Sequence, residues 1–201
     1  MAPPKKQDLS MSENTQGLRD RLLSLIRERS YQRGEFKLAS GKISDFYFDG
    51  KMVELMPEGA HLIGEVIYDR IKDREFDAIG GLAVGAVPMV TSAVISCFHH
   101  KLNIEGLFVR PEAKSHGTRK VVEGSLKSGD RVVIVDDVAT SGKSLMQAVE
   151  AVQAKGATVE LVLVIVNRQE GADEFFEEKD LPFEWIFTKT EVMEADHVPA
   201  L

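Results

Sequence analysis

The residues best equipped for chemistry in this 201-residue chain lie in one run, Asp136-Asp137-Val138-Ala139-Thr140-Ser141-Gly142-Lys143-Ser144. Two adjacent carboxylates follow the apolar stretch from Arg131 to Val135, and a small, hydroxyl-rich loop then opens a helical pattern. Backbone N–H groups at a helix N terminus form an anion site, and phosphate is the expected guest. The carboxylates repel such a guest, so they need another partner, either sugar hydroxyls or a metal. Two familiar nucleotide motifs fail by spacing. A Walker A loop ending at Gly142-Lys143-Ser144 needs glycine where Asp137 stands, and a dinucleotide fingerprint starting at Gly80 needs glycine where Leu82 stands. The plainer alternative is that Asp137 and Thr140 only cap the helix.

Two further sets of residues suit a polyanion. Arg110, Lys114, His116, Arg119 and Lys120 crowd an eleven-residue segment whose one acid is Glu112. Such a run is commonly a solvated face; here a glycine and the lack of apolar periodicity point to a lid. Arg168 follows a β-branched run, where a guanidinium could grip a planar carboxylate or amide edge through two parallel hydrogen bonds. Gly80-Gly81-Leu82-Ala83-Val84-Gly85 could offer backbone amides, or serve only as a helix entry.

The elements that must hold these groups follow from periodicity. A helix is expected from about Gly17 to Ser30, with Leu18, Leu22, Leu25 and Ile26 on one face, and a second from Pro57 to about Arg70, with Leu62, Ile63, Val66 and Ile67 inward. Alternating residues between Phe36 and Phe48, broken at Ser40-Gly41, predict two short strands and a turn. From Asp77 onward, strands alternate with helices: a strand to Gly81, a helix from Ala86 to Phe98, and strands at Glu105 to Val109 and Arg131 to Val135. A helix from Ser144 to Lys155 and a strand from Thr158 to Val166 complete the series. This order predicts an α/β fold with a central parallel sheet flanked by helices, and ligands beyond the carboxyl ends of its strands. The stretch after Arg168 is acidic, with ten Asp and Glu against two lysines, and reads as a solvated face.

Composition sets outer bounds. The chain is 43% hydrophobic and 28% charged, enough apolar material for a core. The net charge of −7 argues against coating nucleic acid or an anionic membrane. No run approaches the roughly 20 apolar residues of a membrane span. The single cysteine, Cys97, allows no internal disulfide and suits a reducing, cytoplasmic setting. Residues 1–16 read as a disordered leader.

The run from Val133 to Gly142 resembles the phosphoribosyl-diphosphate (PRPP) signature of the type I phosphoribosyltransferases. The stretch Leu38 to Asp49 is similar to the N-terminal hairpin of the orotate phosphoribosyltransferase family, Arg110 to Thr118 to its catalytic loop, and Asn167 to Gly171 to its strand-end motif with a base-binding arginine. The resemblance implies the type I phosphoribosyltransferase fold, as a single domain over 17–201 with an N-terminal hood on the base side over 17–56 and a core over 57–201. It implies that Asp136 and Asp137 hold the ribose hydroxyls and that Ala139 to Ser144 wrap the 5-phosphate, so that the PRPP site comprises Arg110, Lys114, His116, Asp136, Asp137, Val138, Ala139, Thr140, Ser141, Gly142, Lys143 and Ser144. Thr140 and Arg168 are implied as orotate contacts, and Lys114, His116 and Asp137 as the catalytic set. Mg2+ is the implied cofactor, held mainly by substrate and water rather than by protein ligands. The implied reaction joins orotate and PRPP to give orotidine 5′-phosphate and diphosphate in pyrimidine biosynthesis. A homodimer with shared sites is also implied, since the family supplies the loop from the neighbouring subunit. Ala39, Val84 and Pro111 stand where many members carry lysine. A regulator of the same fold that binds PRPP without catalysis, and a purine-using transferase, are the alternatives.

Overall fold

The β-branched runs on either side of residue 150 become neighbouring central strands of a six-stranded sheet. The computed structural model of the protein describes residues 13–37, 43–111 and 121–194. The elements are α1 (Glu13–Leu25), a π-helical turn (Ile26–Ser30), β1 (Tyr31–Lys37), β2 (Ile43–Phe48), α2 (Lys51–Glu54), α3 (Pro57–Ile71), β3 (Ala78–Leu82) and α4 (Val87–His99). They continue with β4 (Glu105–Val109), β5 (Val122–Glu123), β6 (Arg131–Ala139), α5 (Lys143–Gln153), β7 (Thr158–Asn167), α6 (Ala172–Glu177), β8 (Phe183–Thr188) and α7 (Lys189–Met193). The first expected helix is thus split: its α-helical hydrogen bonds end at Leu25 and a π turn finishes it. The leader expected over 1–16 lies outside the described residues up to position 12, and its last four residues, Glu13 to Gln16, instead begin α1.

Strand order is β5-β4-β3-β6-β7-β8, with β4, β3, β6, β7 and β8 parallel and the two-residue β5 antiparallel to β4. Successive side chains of a strand point to opposite faces, so a strand buried on both sides must be apolar throughout. In β6, Val133 and Val135 pack with α1, α3 and α4, whereas Val132 and Ile134 pack with α5 and α6. In β7, Leu161, Leu163 and Ile165 take the first face, and Val162 and Val164 the second. Those four faces form two cores with the sheet between them. β1 and β2 form a separate antiparallel hairpin.

The chain lays down β3, crosses through α4 to β4 on one side, and later returns to place β6 on the other. Connections therefore diverge at the carboxyl ends of β3 and β6, leaving a crevice there. Close approach of these strands depends on Gly81, where a Cβ would collide with the Cβ of Ala86 and the carbonyl oxygen of Val135.

The acidic C-terminal stretch is not a simple solvated face. It contains β8, an edge strand with Ile186 and Phe187 buried. Glu184 is engaged by Arg70 at 3.8 Å and by Arg74. Glu191 completes a reciprocal cap with Thr188, whose N–H donates to Glu191 Oε2 at 2.8 Å, and it also pairs with Arg19 of α1. Net charge obscured these roles because each acid answers a cation far away in sequence. Among the described residues no helix is long and apolar enough to cross a membrane.

Gly81→Ala should force β3 and β6 apart. The expected loss is about 1–3 kcal/mol of stability, the usual range for overpacking, read as a lower denaturant midpoint.

Candidate active site

β6 does not end at Val135. Asp136 stands in register with Val164, Val138 with Val166 and Ala139 with Asn167, so the paired carboxylates belong to the strand and the following loop shrinks to Thr140 to Gly142. Aspartate is a poor strand former, which is why the β-branched run alone stops short; pairing with β7 overrides that preference. Asp137 N–H donates to Asp136 Oδ1 at 3.1 Å and turns that carboxylate back along the strand. The loop after β3 reaches it: a Cβ on Gly85 would lie 3.5 Å from Asp136 Oδ1. The Ala83–Val84 peptide in this loop is cis, and the Val84 side chain is 80% exposed.

Asp137 shares its face with Val133 and Val135 and meets α2. A Cβ on Gly50 would lie 2.5 Å from Glu54 Oε1 and 2.6 Å from Asp137 Oδ2. Lys51 Nζ stands 3.8 Å from Asp137 Oδ2 and 3.8 Å from Asp49 Oδ1. Burial, then the neighbouring Asp137 charge, pushes the Asp136 carboxyl up from its ordinary range. Burial also raises Asp137, against the pull of Lys51. Burial alone would lower the Lys51 ammonium, but Asp137, Glu54, Asp49 and Asp136 outweigh it and raise it. The pair is thus a crowded site of negative charge with one lysine beside it, to which hydroxyls of a bound molecule can donate.

Beyond the pair, Gly142 caps α5 in the left-handed conformation, φ 78°, with no side-chain hydrogen bond to the helix. Neither Asp137 nor Thr140 is its cap, so the first-turn amides remain directed at the crevice mouth. A Cβ on Gly142 would also meet Phe175 at 2.7 Å and Phe176 at 2.9 Å. Around this turn Thr140, Ser141, Lys143 and Ser144 are exposed, Val138 is half-buried and Ala139 is buried. The arrangement fits a phosphate group.

Arg168 is not a solvated strand-end arginine. Its side chain is only 11% exposed, its backbone N–H donates to Ala139 O at 2.9 Å, and its Nε donates to Glu170 Oε1 at 3.1 Å. The guanidinium lies 4.4 Å from the Phe46 ring centroid, and Lys189 Nζ lies 4.3 Å from the same ring. Hairpin and strand end thereby come together. Lys189, Lys51 and Glu54 were absent from the sequence expectations. The Lys51/Glu54 spacing of three was the available signal, but α2 is one turn long and shows no periodicity.

Arg110 follows β4, with Nε donating to Glu123 Oε1 at 3.1 Å and its guanidinium 5.4 Å from the Phe108 ring centroid. Pro111 beside it is exposed. Lys114 and His116 lie outside the described residues, as do Ala39 and the Ser40-Gly41 turn. Among the described residues no three His, Cys, Asp or Glu side chains cluster as a metal site.

Comparison with known proteins adds independent findings. A family model for the phosphoribosyl transferase domain matches residues 49–193. The orotate phosphoribosyltransferase of Rhodopseudomonas palustris (strain BisB5) is 45% identical over 179 residues, covering 87% of this chain and 96% of that protein. Orotate phosphoribosyltransferase of Mycobacterium tuberculosis H37Rv, solved with Fe(III) dicitrate, superposes with a TM-score of 0.77 at 32% identity, over 88% of this chain and 99% of that one. The same bacterium's enzyme in complex with PRPP gives a TM-score of 0.73 at 30% identity, over 87% and 98%.

Gly50→Ala should displace Asp137 without backbone strain, since φ at Gly50 is −58°. The expected result is PRPP affinity weakened by about tenfold, equivalent to about 1.4 kcal/mol, with the fold retained; titration calorimetry and circular dichroism would check both.

Proposed function

The chain belongs to the orotate phosphoribosyltransferase family, and we propose that its crevice transfers the 5-phosphoribosyl group of PRPP to N1 of orotate, releasing diphosphate. One observation carries this reading. The Asp136–Asp137 pair, the uncapped start of α5 and the Arg168–Phe46 stack stand together at the carboxyl ends of β6 and β7, beside the loop after β3.

Each group then has a task. Asp136 and Asp137 accept hydrogen bonds from the ribose hydroxyls, donors suited to two adjacent, largely withdrawn carboxylates. The amides from Ala139 to Ser144, with the Thr140, Ser141 and Ser144 hydroxyls and Lys143, hold the 5-phosphate. Arg168 receives the orotate carboxylate or an adjacent carbonyl through the donors that Glu170 leaves free, and Thr140 borders the same base. Phe46 holds the guanidinium plane.

During transfer the bond from ribose C1 to the diphosphate oxygen breaks, the electron pair leaves with diphosphate, and orotate N1 closes on C1 while its proton passes to the departing diphosphate. Charge grows on diphosphate and positive character grows on the ribose. Arg110, Lys114 and His116 stabilise the first, and Asp137 the second. Water would capture the same centre, so bringing the Arg110 to Lys120 segment over the substrates serves the chemistry. Mg2+ suits this site as a partner of the PRPP oxygens, because it binds chiefly through substrate phosphates and water, and when bound it would neutralise diphosphate charge. A homodimer has apolar surface to use in Ile95 and Phe98, which are 51% and 69% exposed on α4. Cytoplasmic residence suits the buried Cys97 thiol, which burial pushes up to about 11, disfavouring thiolate chemistry.

The deciding assay offers PRPP with orotate, hypoxanthine or xanthine. Orotate-dependent release of diphosphate is expected. Turnover of a purine, or PRPP binding with no turnover, would replace this reading by one of the two alternatives.

Arg168→Ala should lower kcat/KM for orotate by about tenfold to a hundredfold, the cost of leaving a buried partner unpaired, with less effect on PRPP. Steady-state kinetics in both substrates checks this. Mixing Lys114→Ala with Asp137→Asn subunits tests sharing between protomers. If Lys114 serves the neighbouring site, each mixed dimer carries one site with both lesions and one intact, and recovers up to about half of wild-type activity. No recovery after verified subunit exchange would place the loop in its own subunit's site.

A further inference from the structure

Beside Asp137 lies a carboxyl group that the transfer reaction does not use. Glu54 ends the short α2 and is only 3% exposed, yet neither of its carboxyl oxygens has a hydrogen-bond partner among the described residues. The Ser30 hydroxyl on the π turn is equally buried and equally unpartnered. Both border a cavity of about 10 Å³, lined also by Gly50, Phe48 and Asp137, which is room for about one water. Glu54 Oε1 and Asp137 Oδ2 face each other across the space that a Gly50 Cβ would fill.

The charges around Glu54 are Asp136 and Asp137 on β6, and Asp49 and Lys51 at the start of α2. Three of those four are negative. An ionised, unpaired carboxylate in this place would combine a heavy desolvation cost with repulsion from its neighbours. Burial first, then the Asp137 charge, raises the Glu54 carboxyl to about 8. The group is therefore neutral at neutral pH. A neutral carboxyl has one O–H to donate, and the acceptor across the cavity is Asp137.

We propose that Glu54 is a positioning residue for the PRPP subsite, donating its proton in a hydrogen bond to the Asp137 carboxylate, directly or through one water, and releasing Asp137 when it ionises. The inference rests on Asp137 accepting a ribose hydroxyl. Fixing Asp137 in place lowers the cost of ordering it when PRPP arrives. Ionised Glu54 removes the donor and adds a like charge beside a carboxylate that must approach a polyanionic substrate. Asp137 stays a carboxylate whether or not Glu54 is ionised, so its help to the developing ribose charge persists; what changes is how the ribose hydroxyls are held in ground state and transition state alike, which falls on KM rather than kcat.

The test uses the full-length protein, with PRPP and orotate kinetics measured from about pH 6 to about pH 9.5, across the ionisation window. The wild type should show KM for PRPP rising about tenfold above about pH 8, the effect of a coupling near one pK unit, with kcat nearly level. Glu54→Gln keeps an N–H donor and cannot ionise; its KM should match wild type near neutrality and stay flat at alkaline pH. Glu54→Leu lacks the donor and should have a raised KM throughout. A parallel alkaline rise in Glu54→Gln, or a wild-type KM in Glu54→Leu, would overturn the proposal. Asp137→Asn separates the two readings: PRPP binding undisturbed in that variant removes the ribose assignment itself, whereas weakened binding there with an unaltered Glu54→Gln profile removes only the role of Glu54.

Thermal melts give a second readout that does not depend on activity. A carboxyl raised from 4.5 to about 8 by folding keeps its proton in the native state while the unfolded chain gives it up. Its stability contribution is thus full below the lower value and is lost as pH rises through the window. Glu54→Gln escapes this loss and should gain Tm relative to wild type between about pH 5 and about pH 8. A fall in relative Tm over that interval would mean that Glu54 is ionised and paired in the native protein, and would also overturn the proposal.

Discussion

The desolvation of two adjacent carboxylates at the end of a doubly buried strand is the constraint that organises this molecule. β6 is apolar on both faces from Val132 to Val135 and then carries Asp136 and Asp137 while still paired to β7. Had the chain left the sheet at Val135, the two acids would sit in water at little cost. Held in the ladder, they lose hydration, which raises the affinity of both for protons, and the Asp137 charge raises Asp136 further. The protein answers with the Asp137 N–H on Asp136, and with the backbone N–H groups of Val138 and Asp137 and one lysine at 3.8 Å on Asp137, yet both carboxyls stay raised. On the proposed reading, a ligand with two neighbouring hydroxyls adds donors to this crowded pair of charges, and the cost of crowding is also the source of affinity.

Holding that ladder intact to Ala139 has further consequences. It brings the α5 start within a three-residue loop of the carboxylates, and it fixes the Arg168 backbone, whose N–H donates to Ala139 O. It also requires neighbouring chains to come close. Gly81 admits the Val135 carbonyl, and Gly50 admits Asp137 and Glu54. Gly142 is required twice, by its positive φ and by the rings of Phe175 and Phe176. These three glycines mark the surfaces against which the site is shaped, each by a different element.

What the sequence disclosed follows the range of the underlying interactions. The Asp136 to Ser144 run was readable because its chemistry is contiguous, and the buried strands because β-branched runs report local environment directly. The end of β6 was misplaced since aspartate opposes the strand that its neighbour β7 imposes. β8 escaped notice because a count of acids outweighed the apolar residues Phe183, Trp185, Ile186 and Phe187 between them. Lys51, Glu54 and Lys189 act through partners that are remote in sequence, and no spacing rule marks a carboxyl whose state is set by a cavity. Arg168 was found through its likeness to a family motif, but its burial against Phe46 exists only in the folded chain.

That burial also bears on which base the site accepts. Arg168 and Lys189 both lie over Phe46, and Glu170 lies 3.0 Å from Arg168 and 3.9 Å from Lys189. The group therefore carries one positive charge in excess, in a place where the Arg168 side chain is largely withdrawn from water. Cation–π contact lessens that cost by about 0.5–2 kcal/mol but cannot neutralise the charge. A base bearing a carboxylate restores balance when it binds, and its planar anion matches the guanidinium fork. An uncharged purine could make hydrogen bonds to the same donors, yet would cover the surplus charge without answering it. On the proposed reading, selection for an anionic base thus arises from a cluster one anion short, just as selection for ribose arises from two carboxylates crowded together at a strand end.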